Sequence, residues 1–157
     1  MRMVDVDAAR AAVALALPAV ELAMRDPAAG DSGCLHIVVM DPLAQPDCTF
    51  EQAILHEHSI NREGWDADYA RFARAKAHVS WRTGMDSHRL QASMPQRLMP
   101  GDTRLWGSVC MDGIVVAVSG LQPWYDEAIA GMVACWLRAM AKGRAAAAAR
   151  NGPFLPG

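Results

Sequence analysis

Residues 54–61 read ILHEHSIN, and there the chain sets a carboxylate between two imidazoles, His56-Glu57-His58. Imidazole beside carboxylate is the raw material of metal ligation and of proton transfer near neutral pH. On a strand, side chains alternate between faces, so His56 and His58 project together with Ile54 and Ile60 while Glu57 points the other way. Two imidazoles spaced in this way supply half of a metal site, and His36 or His78 would have to complete it. The other reading is a polar, subunit-facing strand. There, protonation near pH 6 sets two positive charges side by side and weakens association.

Lys76 is the next chemical outlier. It interrupts a small and aromatic helix face made by Tyr69, Phe72, Ala73, Ala77 and Ser80. A lysine so placed either snorkels to solvent or enters a pocket and holds an anionic group such as a carboxylate. Ser119-Gly120 precedes a helix whose first amides, from Leu121 to Trp124, favour an anion, but Asp126 and Glu127 already bring negative charge there and favour simple capping. Trp106, Trp124 and Tyr125 are expected as pocket walls, as a subunit contact or as plain core. No nucleophile elbow, paired-carboxylate motif, phosphate loop or dinucleotide fingerprint accompanies them. Cys34, Cys48, Cys110 and Cys135 stand 14, 62 and 25 residues apart, without the two-residue gap of a zinc knuckle or redox pair, and read as buried free thiols.

These residues need elements to hold them. Asp5 to Met24 is rich in alanine and leucine and predicts a helix, kinked or restarted at Pro18. DPAAGDSG (26–33) is a turn, CLHIVVM (34–40) a buried strand, DPLAQPD (41–47) a turn, and CTFEQAILHEHSI (48–60) the returning strand. Asp66 is the expected N-cap of a helix over ADYARFARAKAHVSW. A short helix or loop follows over 83–103. The clearest local signal is RLWGSVCMDGIVVAVSG (104–120), two apolar runs meeting at Asp112-Gly113, a dipeptide suited to a tight hairpin turn. Pro123 then opens a last helix with the buried stripe Ile129, Met132, Val133, Trp136, Leu137 and Met140. AAAAARNG extends that helix, PFLPG stops it, and residues 143–157 read as a C-terminal extension. Strands arriving in adjacent pairs make antiparallel sheets, so the expected class is α+β: two hairpins in one sheet flanked by helices.

With 157 residues, 52% hydrophobic and 20% charged, the chain is expected to fold as one domain around one core. A net charge of -2 gives no electrostatic pull toward nucleic acid or an anionic membrane. AAVALALPAV is about half a membrane span, and the expected location is the cytoplasm.

Three phrases resemble the GlcG/HbpS family of haem-binding and haem-degrading-like domains: HIVVMD at 36–41, ARAKAHVSW at 73–81 and DGIVVAVSGLQPWYDEAIAGM at 112–132. The similar parts span roughly residues 5 to 142. The resemblance implies a profilin-like fold, a small-molecule ligand, haem among the candidates, and a homo-oligomer. It also places Lys76 within a phrase that the family repeats. The family's usual Asp-Ala-Gly-Gly turn is replaced here by DPLAQPD, and its glycine-rich stretch is shortened to GDTRLWGSV. Its haem-ligating histidine lies near the first helix, whereas the first histidine here is His36, in a strand. A second expectation is a cofactor-independent or metal-assisted lyase or isomerase of an aromatic or hydroxy acid. Lys76 would anchor its carboxylate, and a histidine of the first hairpin would act as general base.

Overall fold

A computed structural model describes residues 3–148. Four helices and four strands follow in the order α1 (Val6–Met24), β1 (Leu35–Met40), β2 (Ile54–Ile60), α2 (Tyr69–Thr83), α3 (Ser87–Ser93), β3 (Ser108–Met111), β4 (Ile114–Ser119) and α4 (Pro123–Ala148). The strands form one antiparallel sheet in the order β2-β1-β4-β3, so the fold is α+β. Each hairpin contributes one inner and one outer strand. The seam between hairpins pairs His36 with Ser119 and Val39 with Val116. No helix of the described residues is long and apolar enough to cross a membrane.

Two apolar layers enclose the sheet. Leu35, Ile37, Val39, Val116 and Val118 meet α1 and α4 on one face, through Ala12, Val13, Ala16, Val133 and Leu137. On the other face Val38, Met40, Val115 and Ala117 meet Ala73 and Ala77 of α2. Alanine dominates the helix surfaces because it lets backbone approach the sheet closely and carries the highest helix propensity. The last hairpin turns at Asp112-Gly113 with φ of 51° and 79°, the left-handed pair that this dipeptide tolerates.

Several local expectations are corrected. α1 does not restart at Pro18 but continues as one helix, since Pro18 and Ala14 both face solvent and the carbonyl that loses its amide partner can be hydrated. The strand expected over 48–60 begins only at Ile54, because Thr49 and Gln52 exchange side-chain-to-amide hydrogen bonds and coil residues 49–53 into a turn. The N-cap of α2 is Asp68, which accepts from the Arg71 amide, while Asp66 instead accepts the Tyr69 hydroxyl. Trp136 leaves the stripe of α4 and is exposed. Of the four free thiols only Cys34 is buried; Cys48 and Cys110 are half-buried and Cys135 is exposed. The helix stop expected at PFLPG lies outside the described residues.

Ile54 does not share the face of His56 and His58. The register steps from Val39–His56 to Met40–Ile54, leaving Leu55 as a bulge that changes the alternation. Ile54 packs toward α2, whereas Leu55 and Ile60 pack toward α1 and α4.

Gly120 sets the seam. A Cβ there would lie 2.1 Å from the Cys34 carbonyl oxygen and 2.8 Å from Leu35 Cα, at a φ of +146°. Gly120→Ala should therefore cost about 3–5 kcal/mol, from overpacking against backbone together with the positive φ. Gly113→Ala meets nothing within 4 Å and should cost only about 1–2 kcal/mol for its φ. Urea denaturation of both variants checks the ordering, and equal losses would contradict it.

Candidate functional site

The residues singled out in the sequence fall into two places. Gly120 shortly precedes α4 and Lys76 reaches its first turn, with Ser119, Trp124 and Tyr125 close by in the chain and the Trp106 ring 6.5 Å from that of Trp124. His56 and His58 lie on the outer strand β2, facing α1.

Lys76 neither snorkels nor ends in an open pocket. Its side chain is 3% exposed, and Nζ donates to the Val118 carbonyl at 2.9 Å and to Asp126 Oδ2 at 3.0 Å. Asp126 uses its other oxygen to accept the Leu121 amide at 2.9 Å. The first turn of α4 is thus capped by its own carboxylate, the simple capping that its acidic residues favoured over an external anion. Gly107 closes over the pair: a Cβ there would stand 2.8 Å from Asp126 Cβ and 3.1 Å from Lys76 Nζ. Burial pushes the Asp126 carboxyl up to about 6 and holds the Lys76 ammonium below its usual value, each partner pulling the other back. Lys76 thus directs its ammonium at Asp126 and the Val118 carbonyl, inside the protein and away from any open pocket.

The aromatic candidates cover this junction from outside. Trp106 stacks on His88 with ring centroids 4.1 Å apart and approaches Trp124 at 6.5 Å. Trp124 is 57% exposed, so it is no core residue, and Tyr125 is half-buried. Ser119 is buried opposite His36 on β1, and the Gly120 carbonyl accepts the Ser32 hydroxyl at 2.6 Å. These contacts fix the seam.

His56 and His58 line a groove of about 300 Å³ with Arg10, Val13, Ala14 and Leu17 of α1. Val13, Ala14 and Leu17 give it an apolar floor. Burial holds both imidazoles below their ordinary value of 6.5, and the Arg10 guanidinium lowers His56 further. Neither ring hydrogen-bonds to the described residues, so their nitrogens remain available. Among the described residues Arg10 pairs with Asp7 alone, at 3.4 Å and in the open, a contact of little strength. No group of three potential metal ligands forms among the described residues, and neither His36 nor His78 joins the pair. A larger concavity of about 340 Å³ lies near the start of α1 and the end of α4, lined by Met3, Val4, Leu43 and Ile114. It contains no histidine, and its Arg138 and Asp112 face one another at 3.4 Å.

Sequence reasoning missed Arg10, Asp126 as the partner of Lys76, and Gly107. An arginine on a helix or a glycine ahead of a strand carries no signal until the sheet order places it. Lys76→Met should cost about 3–5 kcal/mol in urea denaturation, because it leaves the Asp126 carboxylate buried without its cation. Adding Asp126→Asn should return part of that loss; a single variant costing under about 1 kcal/mol would show that the pair does not hold the junction. No family model matches the chain, and no curated protein matches it.

Proposed function

We propose that this chain is a small-ligand-binding protein, as its resemblance to the GlcG/HbpS family implies, and that it holds a small organic acid between α1 and β2. The observation that carries this reading is the pair of half-buried imidazoles, His56 and His58, whose nitrogens have no partner among the described residues while Arg10 stands beside them. A carboxylate on Arg10, hydrogen bonds from neutral imidazole and an apolar body on Val13 and Leu17 would use every part of the groove. Haem is the ligand that the resemblance brings forward. Imidazole suits its iron and arginine its propionates, but a groove of about 300 Å³ does not enclose a tetrapyrrole. An acid with one ring fits the space better. The outer sides of β2 and β3 pair with no strand of the described residues, and strand addition between copies is the assembly proposed for the homo-oligomer.

Benzoate is the first probe. Calorimetric titration should show saturable binding that weakens about tenfold or more in Arg10→Ala, the loss expected for one charged hydrogen bond of ~1.5–3 kcal/mol. Both imidazoles sit below 6.5, so they gain protons only as the pH falls beneath that value, and a proton gained favours a carboxylate. Benzoate binding should therefore tighten between pH 7 and 5, and His56→Ala/His58→Ala should remove that dependence. Titration with hemin should give no saturable Soret shift. A saturable shift that disappears in the double variant would replace the acid by haem. Binding of neither probe would remove the reading.

A further inference from the structure

The other face of β2 carries a different arrangement, which does not depend on the groove. Ser59 lies directly opposite His36 in the β1–β2 register, and Glu57 precedes it by two residues on the same face. Ser59 Oγ is 2.8 Å from His36 Nδ1, and His36 Nε2 is 3.1 Å from Glu57 Oε1. Arg74 of α2 grips both oxygens of Glu57, Nε to Oε1 and Nη2 to Oε2, each at 2.7 Å. His36 is buried and meets the edge of Trp65 at 5.6 Å, while the Trp65 indole donates to the Ile60 carbonyl. Tyr69 packs against Trp65, and the Arg62 guanidinium sits over the same ring. Ser59 stays half-exposed on the edge strand.

The hydrogen-bond directions follow from the chemistry of each group. Arg74, through its paired hydrogen bonds, holds Glu57 well below the usual carboxylate range, so Glu57 is ionised and can only accept. His36 Nε2 must then carry the ring proton. Burial keeps the imidazole neutral at pH 7, which leaves a lone pair on Nδ1 aimed at Ser59. The Ser59 hydroxyl therefore donates to a base whose tautomer is fixed by an arginine-anchored carboxylate. This is the logic of a serine–histidine–carboxylate relay, with the two ring nitrogens exchanged.

We propose that Ser59 is a nucleophile and that this edge of the sheet transfers acyl groups from small aryl esters, with His36 as general base. Ser59 Oγ attacks the ester carbonyl carbon and forms a new C–O bond as its proton passes to His36 Nδ1. Collapse of the tetrahedral adduct breaks the bond to the phenol oxygen, which leaves with the proton from His36. Water then attacks the acyl carbon, forming a C–O bond as its proton passes to His36 Nδ1. Collapse of the adduct breaks the bond to Ser59 Oγ, which takes that proton back from His36, and the acid leaves with Ser59 restored. Glu57 stays ionised and faces the imidazolium that forms in each half. Glu57 and Arg74 are positioning residues. Trp65 borders His36, with Tyr69 packed against it, and together they offer an aromatic surface for the leaving group.

The test uses the full chain and a fluorophosphonate, which phosphonylates activated serines. Intact-mass and peptide analysis should find one adduct, on Ser59, absent in Ser59→Ala. With p-nitrophenyl acetate, Ser59→Ala should lose turnover, and Glu57→Gln should lower it on the order of 10²-fold or more by removing the fixed tautomer. Wild-type turnover should rise with pH below 6.5 and then level, as His36 deprotonates. The charges facing it are Glu57 of β2, Arg74 of α2 and Arg62 of the 3₁₀ turn Arg62–Gly64. Circular dichroism of Ser59→Ala and Glu57→Gln verifies that both fold, and Arg74→Lys reports on positioning if Glu57→Gln does not. No adduct, an adduct that persists in Ser59→Ala, or equal labelling rates in folded Glu57→Gln would overturn the proposal.

Discussion

The ion pair between Lys76 and Asp126 joins three elements that have no covalent reason to meet. It connects the middle of α2 to the first turn of α4, with the Val118 carbonyl of β4 as the third partner. Removing two charges from water is expensive, and their attraction offsets this only when every donor and acceptor is used. Here Asp126 spends one oxygen on Lys76 and the other on the Leu121 amide, so the pair carries an orientation as well as an energy. Gly107 is the backbone that this arrangement permits. The serines nearby extend the same fastening. Ser108 hydrogen-bonds the Ser80 hydroxyl and the Lys76 carbonyl, and Ser87 holds the amides of Gly107 and Ser108. With α2 fixed in this way, Arg74, two residues before Lys76, comes to lie over Glu57.

Strand β2 shows how one short segment serves two environments. His56 and His58 look toward α1 and hold no partner among the described residues, whereas Glu57 and Ser59 look toward α2 and hydrogen-bond to His36, Glu57 also to Arg74. The same alternation that separates them makes the two faces chemically independent. A ligand on one side need not disturb the hydrogen bonds on the other. The bulge at Leu55 adjusts the strand so that Ile54 can fill the α2 layer before the alternation begins.

Features that depend on neighbours in sequence were legible from the residues alone. The Asp112-Gly113 turn, the apolar run of β1, the opening of α4 at Pro123 and the α+β class all rest on patterns a few residues long. Long-range pairing was not legible. Lys76 and Asp126 stand 50 residues apart, and a buried lysine has the same letter as a solvated one. The Ser59–His36 contact needed the register of β1 on β2, which no local pattern supplies. Asp66 and Asp68 are equally good caps by type, and only the Tyr69 hydroxyl, which takes Asp66, decides between them. Ile54 was set on the wrong face because period-two counting has no means of placing a bulge.

The order of strands also shapes how the sheet comes apart. β1–β2 and β3–β4 pair strands that follow one another in the chain and are local units, while the seam between β1 and β4 joins segments more than 70 residues apart. That seam lies in the middle of the sheet, where amides are farthest from solvent, and it forms only after most of the chain has been gathered. Its opening requires loss of the apolar layers on both faces at once. The amides of Val38 and Val116 should then exchange with solvent only by global unfolding, whereas those of β2 and β3 can fray with their own hairpins.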